Sequence, residues 1–124
     1  MKTVEIPCHA KTNAFGWSET IEEWFHRVND ENYEEIEKEV HDAALAISVR
    51  SDWEFLTSEH ELTPSEFRIE LSTGGPALRV VGDLDDRQPV NPVMEYQDWG
   101  TPWIRYEMNE EALEWFVNLF CFEY

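Results

Sequence analysis

The chain reads as a single α+β domain with N-terminal helices, a central, mostly antiparallel sheet of three to five strands, and a C-terminal helix packed on that sheet. Three observations predict this. Apolar residues recur at three- and four-residue intervals in the first third and again after Asn109, they alternate with polar residues in the middle, and at 124 residues the chain supports one ordinary core. A hydrophobic share of 42% and an aromatic share of 14% supply the apolar mass that disordered acidic tails lack.

Val4 to Pro7 is expected to form a short strand and Lys11 to Ser18 a loop. Ser18 or Thr20 is expected to cap the first helix, with Thr20 and Glu23 spaced as a capping box and Ile21, Trp24, Phe25 and Val28 on one face. After a break at Asn29 to Asn32, a second helix carries Tyr33, Ile36, Val40, Ala43, Ala44 and Ile47 and fades near Arg50. Phe67, Ile69 and Leu71 alternate with Arg68 and Glu70, and Thr73-Gly74-Gly75-Pro76 provides turn chemistry before Leu78, Val80 and Val81, which predicts a β-hairpin. Asp83 to Pro92 reads as a polar loop, Val93 to Gln97 and Trp103 to Tyr106 as further strands, and Trp53 to Leu56 as an additional one. Asn109 caps a last helix whose circumference is mostly apolar, which places it across the sheet or in a homodimer contact.

Nine Lys and Arg stand against 27 Asp and Glu, for a net charge of −18. Such a surface repels nucleic acid and anionic membranes and attracts cationic partners; adaptation to high salt is the competing explanation of the charge. No apolar run approaches the roughly 18 to 20 residues that span a bilayer, and no secretory leader is apparent, so the chain is expected to be soluble and cytoplasmic, with Cys8 and Cys121 as free thiols.

Ten acids lie between Glu19 and Asp42. Projected at 100° per residue, Glu19, Glu23 and Asp30 point away from the first apolar stripe, and Glu31, Glu34, Glu35 and Asp42 away from the second, with Glu22, Glu37 and Glu39 flanking. On a continuous helix they would occupy roughly 35 Å, or about 3.5 Å per charge, against about 3.4 Å per phosphate on one DNA strand. A solvated helix face is the ordinary account of such a run. Against it, only Arg27 and Lys38 balance the acids. In charge and size the chain resembles the DNA-mimic inhibitors of phages and mobile elements, including anti-restriction and anti-CRISPR proteins. That resemblance implies that surface carboxylates occupy a basic DNA-binding channel of a host protein, with Glu19, Glu23, Asp30, Glu31, Glu34, Glu35 and Asp42 as the contact set and no direct binding of nucleic acid.

Two further motifs stand out, Leu71 to Ala77 (LSTGGPA) and Tyr96 to Trp103 (YQDWGTPW). Together they resemble the motif pair of a family of short uncharacterised proteins from bacteria and their mobile elements, which implies a shared organisation and transfers no activity. Gly74 and Gly75 permit positive φ in a tight turn before Pro76, and neither their spacing nor the following strand matches a dinucleotide- or phosphate-binding loop. Asp98 is expected to cap the turn of Gly100 and Pro102, with Trp99 and Trp103 stabilising core and turn or framing an aromatic recess.

Catalysis is the weaker reading. The chain has no HExxH, paired CxxC or GxSxG, and Cys8-His9 lacks evident partner ligands, so neither metal nor cofactor is expected. His26 and His41 follow Glu22 and Glu37 by four residues, a spacing for helix-surface pairs. The alternative to a mimic is a protein-interaction or assembly module that uses exposed aromatic surface, for instance on the last helix.

Overall fold

The computed structural model describes residues 9–55 and 62–122. The expected Val4 to Pro7 strand lies outside them, as do Cys8, Leu56, Glu59 and Glu61. Helices α1 (His9–Arg27) and α2 (Tyr33–Ala43) precede strands β1 (Ala46–Ser51), β2 (Pro64–Ser72), β3 (Ala77–Asp85), β4 (Gln88–Gln97) and β5 (Ile104–Tyr106), and α3 (Glu110–Val117) closes the order. The five strands form one antiparallel sheet in sequence order. This is the α+β architecture expected from the sequence.

One face of the sheet carries the core. Ile69 pairs with Val80 and Val80 with Met94, so three fully buried side chains form a row across β2, β3 and β4. Phe67, Leu71, Leu78 and Tyr96 extend the row along the strands, and α1 and α3 cover it. Phe116 of α3 stacks parallel to Trp24 of α1 at 6.5 Å between ring centroids and meets Phe120 edge-on at 5.3 Å. Asn109 caps α3 by accepting the Ala112 N–H at 2.9 Å, as its side chain predicts. The apolar residues Ala112, Leu113, Phe116 and Val117 of this helix are buried within the chain.

Four boundaries differ from the sequence reading. Lys11 to Ser18 is helix, not loop. Its inward positions, Ala10, Ala14 and Ser18, are small and allow close approach to the sheet, so the stripe has little hydropathic contrast. Ser18 and Thr20 are interior, their hydroxyls donating to the carbonyls of Phe15 (2.7 Å) and Gly16 (3.0 Å) rather than capping. The second helix stops at Ala43 and does not reach Ile47, because Ala44 turns extended (φ −74°, ψ 130°) and Ile47 and Val49 then alternate with Ser48 and Arg50 as strand.

The Asp83 to Pro92 segment is no loop but the end of β3 and the start of β4. A two-residue turn at Asp86 and Arg87, both at positive φ (49° and 65°), joins them tightly, and Leu84 is buried between polar neighbours. Pro89 and Pro92 fall where β4 has no β5 neighbour, since β5 pairs only with Met94 to Tyr96, so their missing N–H groups leave no partner unsatisfied on that side. Trp53 to Phe55 forms no strand with the sheet and extends past the end of β1.

Candidate functional site

The two N-terminal helices meet at an elbow whose geometry is set by asparagines. Asn29 Oδ1 accepts the N–H groups of Glu31 (2.8 Å) and Asn32 (3.0 Å), Asn32 Oδ1 accepts that of Asn29 (2.7 Å), and Asn32 Nδ2 donates to the Arg27 carbonyl (3.0 Å). Such side-chain turns compete with helix and end it here. The elbow places Asp30 and Glu31 between the two helices and breaks the expected single line of charge into two ridges, one of 19 residues and one of 11.

Glu19, Glu23, Asp30, Glu31, Glu34, Glu35 and Asp42 are all exposed. Among the described residues only Glu23 of this set meets a cation, Arg27 at 3.8 Å, across one helical turn. Glu34 and Glu35 occupy the first turn of α2, where the helix dipole favours negative charge, and Tyr33 contacts Glu34 at 3.4 Å.

Glu39, which the helical projection places only at the flank of this face, has a structural task. Its Oε2 accepts the buried Trp24 indole N–H at 3.0 Å and the Arg27 guanidinium at 2.8 Å, tying α2 to α1. Glu39→Ala is expected to lower stability by about 1 kcal/mol, the low end for a donor that loses its partner, because the carboxylate is half exposed. Glu39→Gln keeps an acceptor for Trp24, and denaturant unfolding of the two variants should rank it closer to the parent. His41 likewise departs from the expected helix-surface pairing. Its Nε2 donates to the Leu119 carbonyl at 2.6 Å and its ring lies 5.1 Å from that of Phe120, so it holds α2 to the segment after α3.

The arginines of the strands occupy a different region. Arg68 and Arg79 alternate with the buried Ile69 and Val80 and therefore project from the sheet face opposite the helices. The register places Glu70, Arg79, Glu95 and Arg105 side by side across four strands, a row of alternating charge. Arg79 pairs with Glu95 at 2.9 Å, Arg68 with Glu70 at 3.5 Å and Arg105 with Glu107 at 2.9 Å, and Arg50 pairs closely with Glu66. The hydrogen bond and charge of Arg50 hold the Glu66 carboxyl below its ordinary range. Around these residues the face is concave, enclosing about 580 Å³ over Val81 and Val93. Its cations are already neutralised by neighbouring acids, so it offers little net charge to a ligand.

The glycine and tryptophan motifs border this face. Gly74 takes positive φ (86°), but Gly75 does not. Gly75 is needed for space, since a Cβ there would lie 2.0 Å from Cδ1 of the Trp99 ring. Gly100 is at φ 74°, and Asp98 organises the turn by accepting the Trp99 N–H on its side chain (2.9 Å) and the Thr101 N–H on its carbonyl (3.1 Å). Trp99 and Trp103 belong to neither the core nor a shared recess. Trp99 covers Gly75 and is 81% exposed, while half-buried Trp103 receives the Arg79 guanidinium 3.9 Å from its ring centre, and Pro102 between them is exposed. Trp103 is thus engaged by a cation–π contact with Arg79 and not by the second indole.

Cys121 is an exposed free thiol, and no group of three or more His, Cys, Asp or Glu gathers for a metal ion among the described residues. No described helix is long and apolar enough to cross a membrane. No protein-family model, curated protein or solved structure matches the chain.

Proposed function

We propose that the protein is an inhibitor that docks, as a DNA mimic, on the basic nucleic-acid-binding surface of a host defence protein or another DNA-binding protein. Segregation of charge carries this reading. The arginines of the strands are paired with acids, whereas Glu19, Glu23, Asp30, Glu31, Glu34, Glu35 and Asp42 on the helices and elbow are exposed and, Glu23 apart, without cations among the described residues. A partner's Lys and Arg side chains would find acceptors on both ridges at little desolvation cost, and a net charge of −18 would steer the encounter.

The test is capture from a host lysate on immobilised protein at low and moderate salt, followed by elution with duplex DNA. A basic nucleic-acid-binding protein should be retained, more weakly as salt rises, and duplex DNA should release it because both compete for one surface. The purified chain itself should not shift duplex DNA at physiological salt. Retention that duplex DNA leaves intact would contradict the mimicry.

A further inference from the structure

The segment Ile47-Ser48-Val49-Arg50-Ser51-Asp52-Trp53-Glu54-Phe55 keeps one alternation throughout, with apolar or small side chains at odd positions and polar ones at even positions. Its first half belongs to β1. Among the described residues that strand pairs with β2 alone and is an edge of the sheet. The second half continues beyond the last β2 partner and carries the two most exposed large apolar side chains among the described residues, Trp53 (103%) and Phe55 (93%); Ile47 is itself 46% exposed. A long edge strand with alternating apolar residues is a template for another strand, and natural proteins usually shorten or cover such edges. The opposite edge, β5, has three residues.

We infer that Ile47 to Phe55 is a self-pairing edge on which a second copy of this chain docks antiparallel, with the two-fold axis at Ser51. The choice of a second copy rests on self-complementarity. With the axis at Ser51, Arg50 faces the partner's Asp52, Val49 faces the partner's Trp53, and Ile47 faces the partner's Phe55. These are opposite-charge and aromatic-to-β-branched cross-strand pairs, each of a favourable kind. Moving the axis to position 50 sets Arg50 against its own copy, and moving it to 52 does the same to Asp52. A half-step shift sets apolar side chains against polar ones on the wrong face. One register therefore satisfies both charge and pleat. Its area is sufficient in scale, since four aromatic side chains at about 150 to 250 Å² each supply roughly 600 to 1,000 Å², and Ile47 with the two backbones brings the total toward the ~1,200 Å² at which stable interfaces begin.

This pairing is independent of the acidic helices, and its salt dependence has the opposite sign. Each copy carries −18, so two copies repel at long range and associate more tightly as salt screens them, whereas docking to a basic partner weakens. The test is sedimentation velocity of the full chain from about 0.1 to about 1 M salt, over which the screening length falls from about 10 to about 3 Å. A dimer that tightens with salt is expected. W53S/F55S, which alters only exposed side chains, should weaken association by at least an order of magnitude without moving the unfolding midpoint of the monomer, measured at a concentration where both chains are dissociated. R50D and D52R each create like-charge pairs across the axis, and each alone should dissociate more readily by on the order of ten-fold. Mixed together they should form a heterodimer, because the acid introduced at position 50 of one chain then faces the cation introduced at position 52 of the other, while the unchanged Asp52 of the first faces the unchanged Arg50 of the second. A chain that stays monomeric at high salt and at hundreds of micromolar overturns the proposal, as does a W53S/F55S dimer of undiminished affinity, or a mixture of folded R50D and D52R that associates no better than either alone.

Discussion

Replacing Glu23, Glu31, Glu34 and Glu35 with glutamine and Asp42 with asparagine is expected to weaken partner binding by about 10²- to 10³-fold, mainly through a slower association rate, and to flatten its salt dependence. The five side chains lie on both ridges and at the elbow, and all are exposed, so their neutral counterparts keep the shape and remove five charges. Folding should change little. The one ion pair affected, Glu23 to Arg27 at 3.8 Å, is an exposed contact between helical neighbours worth about 0.3 to 0.5 kcal/mol. Glu34 and Glu35 also lose their favourable interaction with the α2 dipole, about 0.3 to 1 kcal/mol each, while relief of repulsion within the acidic face works in the other direction. The net change in stability should stay within about 1 kcal/mol. Stopped-flow association with the captured partner at several salt concentrations, alongside thermal unfolding, separates the two effects. A folded variant with the parent's affinity and salt slope would remove the helices from the interface.

How far such a surface can be read from sequence depends on whether the signal is local. The exposed carboxylates are legible because each helix has its own apolar stripe, and Ile21, Trp24, Ile36 and Val40 are buried as those stripes require. The role of Glu39 is not legible. Its partner Trp24 lies 15 residues away, and nothing within either helix distinguishes this glutamate from its neighbours. The start of α1 is hidden by Ala10, Ala14 and Ser18, which are inward-facing without being strongly apolar. The boundary before β1 is obscured by coincidence: Ile47 continues the helical spacing of Val40, Ala43 and Ala44, yet it also begins the strand alternation with Val49. Only the extended turn at Ala44 resolves the two. The charge row on the open sheet face needs strand register as well as alternation, because Glu70, Arg79, Glu95 and Arg105 become neighbours only through pairing. For Trp99 the sequence reading rests on the rule that a large aromatic is buried, and the ring lies on the surface against a glycine instead.

Phe116→Ala is expected to have the largest effect on folding of any substitution considered, about 3 to 5 kcal/mol. The ring is fully buried where α3 meets α1, parallel to Trp24 at 6.5 Å and edge-on to Phe120 at 5.3 Å. Truncation removes its apolar area from the core and leaves a cavity between α1 and α3 that neighbouring aromatic rings, held in place by their own contacts, fill only in part. Since a domain of this kind is stabilised by about 5 to 15 kcal/mol, the loss would bring the chain close to its folding threshold. Phe116→Leu retains most of the volume and should cost clearly less. Urea denaturation gives both values, and combining Phe116→Ala with Trp24→Leu should be less damaging than the sum by about 0.5 to 1.5 kcal/mol, since the two rings contact each other. The consequence extends to the acidic surface. Trp24 carries the indole that Glu39 holds, so a loosened Phe116 site reaches the α1 to α2 junction and the ridges beyond it. Partner binding by Phe116→Ala should therefore fall with the folded fraction and recover at low temperature or low denaturant, unlike the charge-neutralised variant, whose deficit should persist in the fully folded state. A destabilisation of Phe116→Ala below about 1 kcal/mol would instead mean that α3 is not packed on α1 as described.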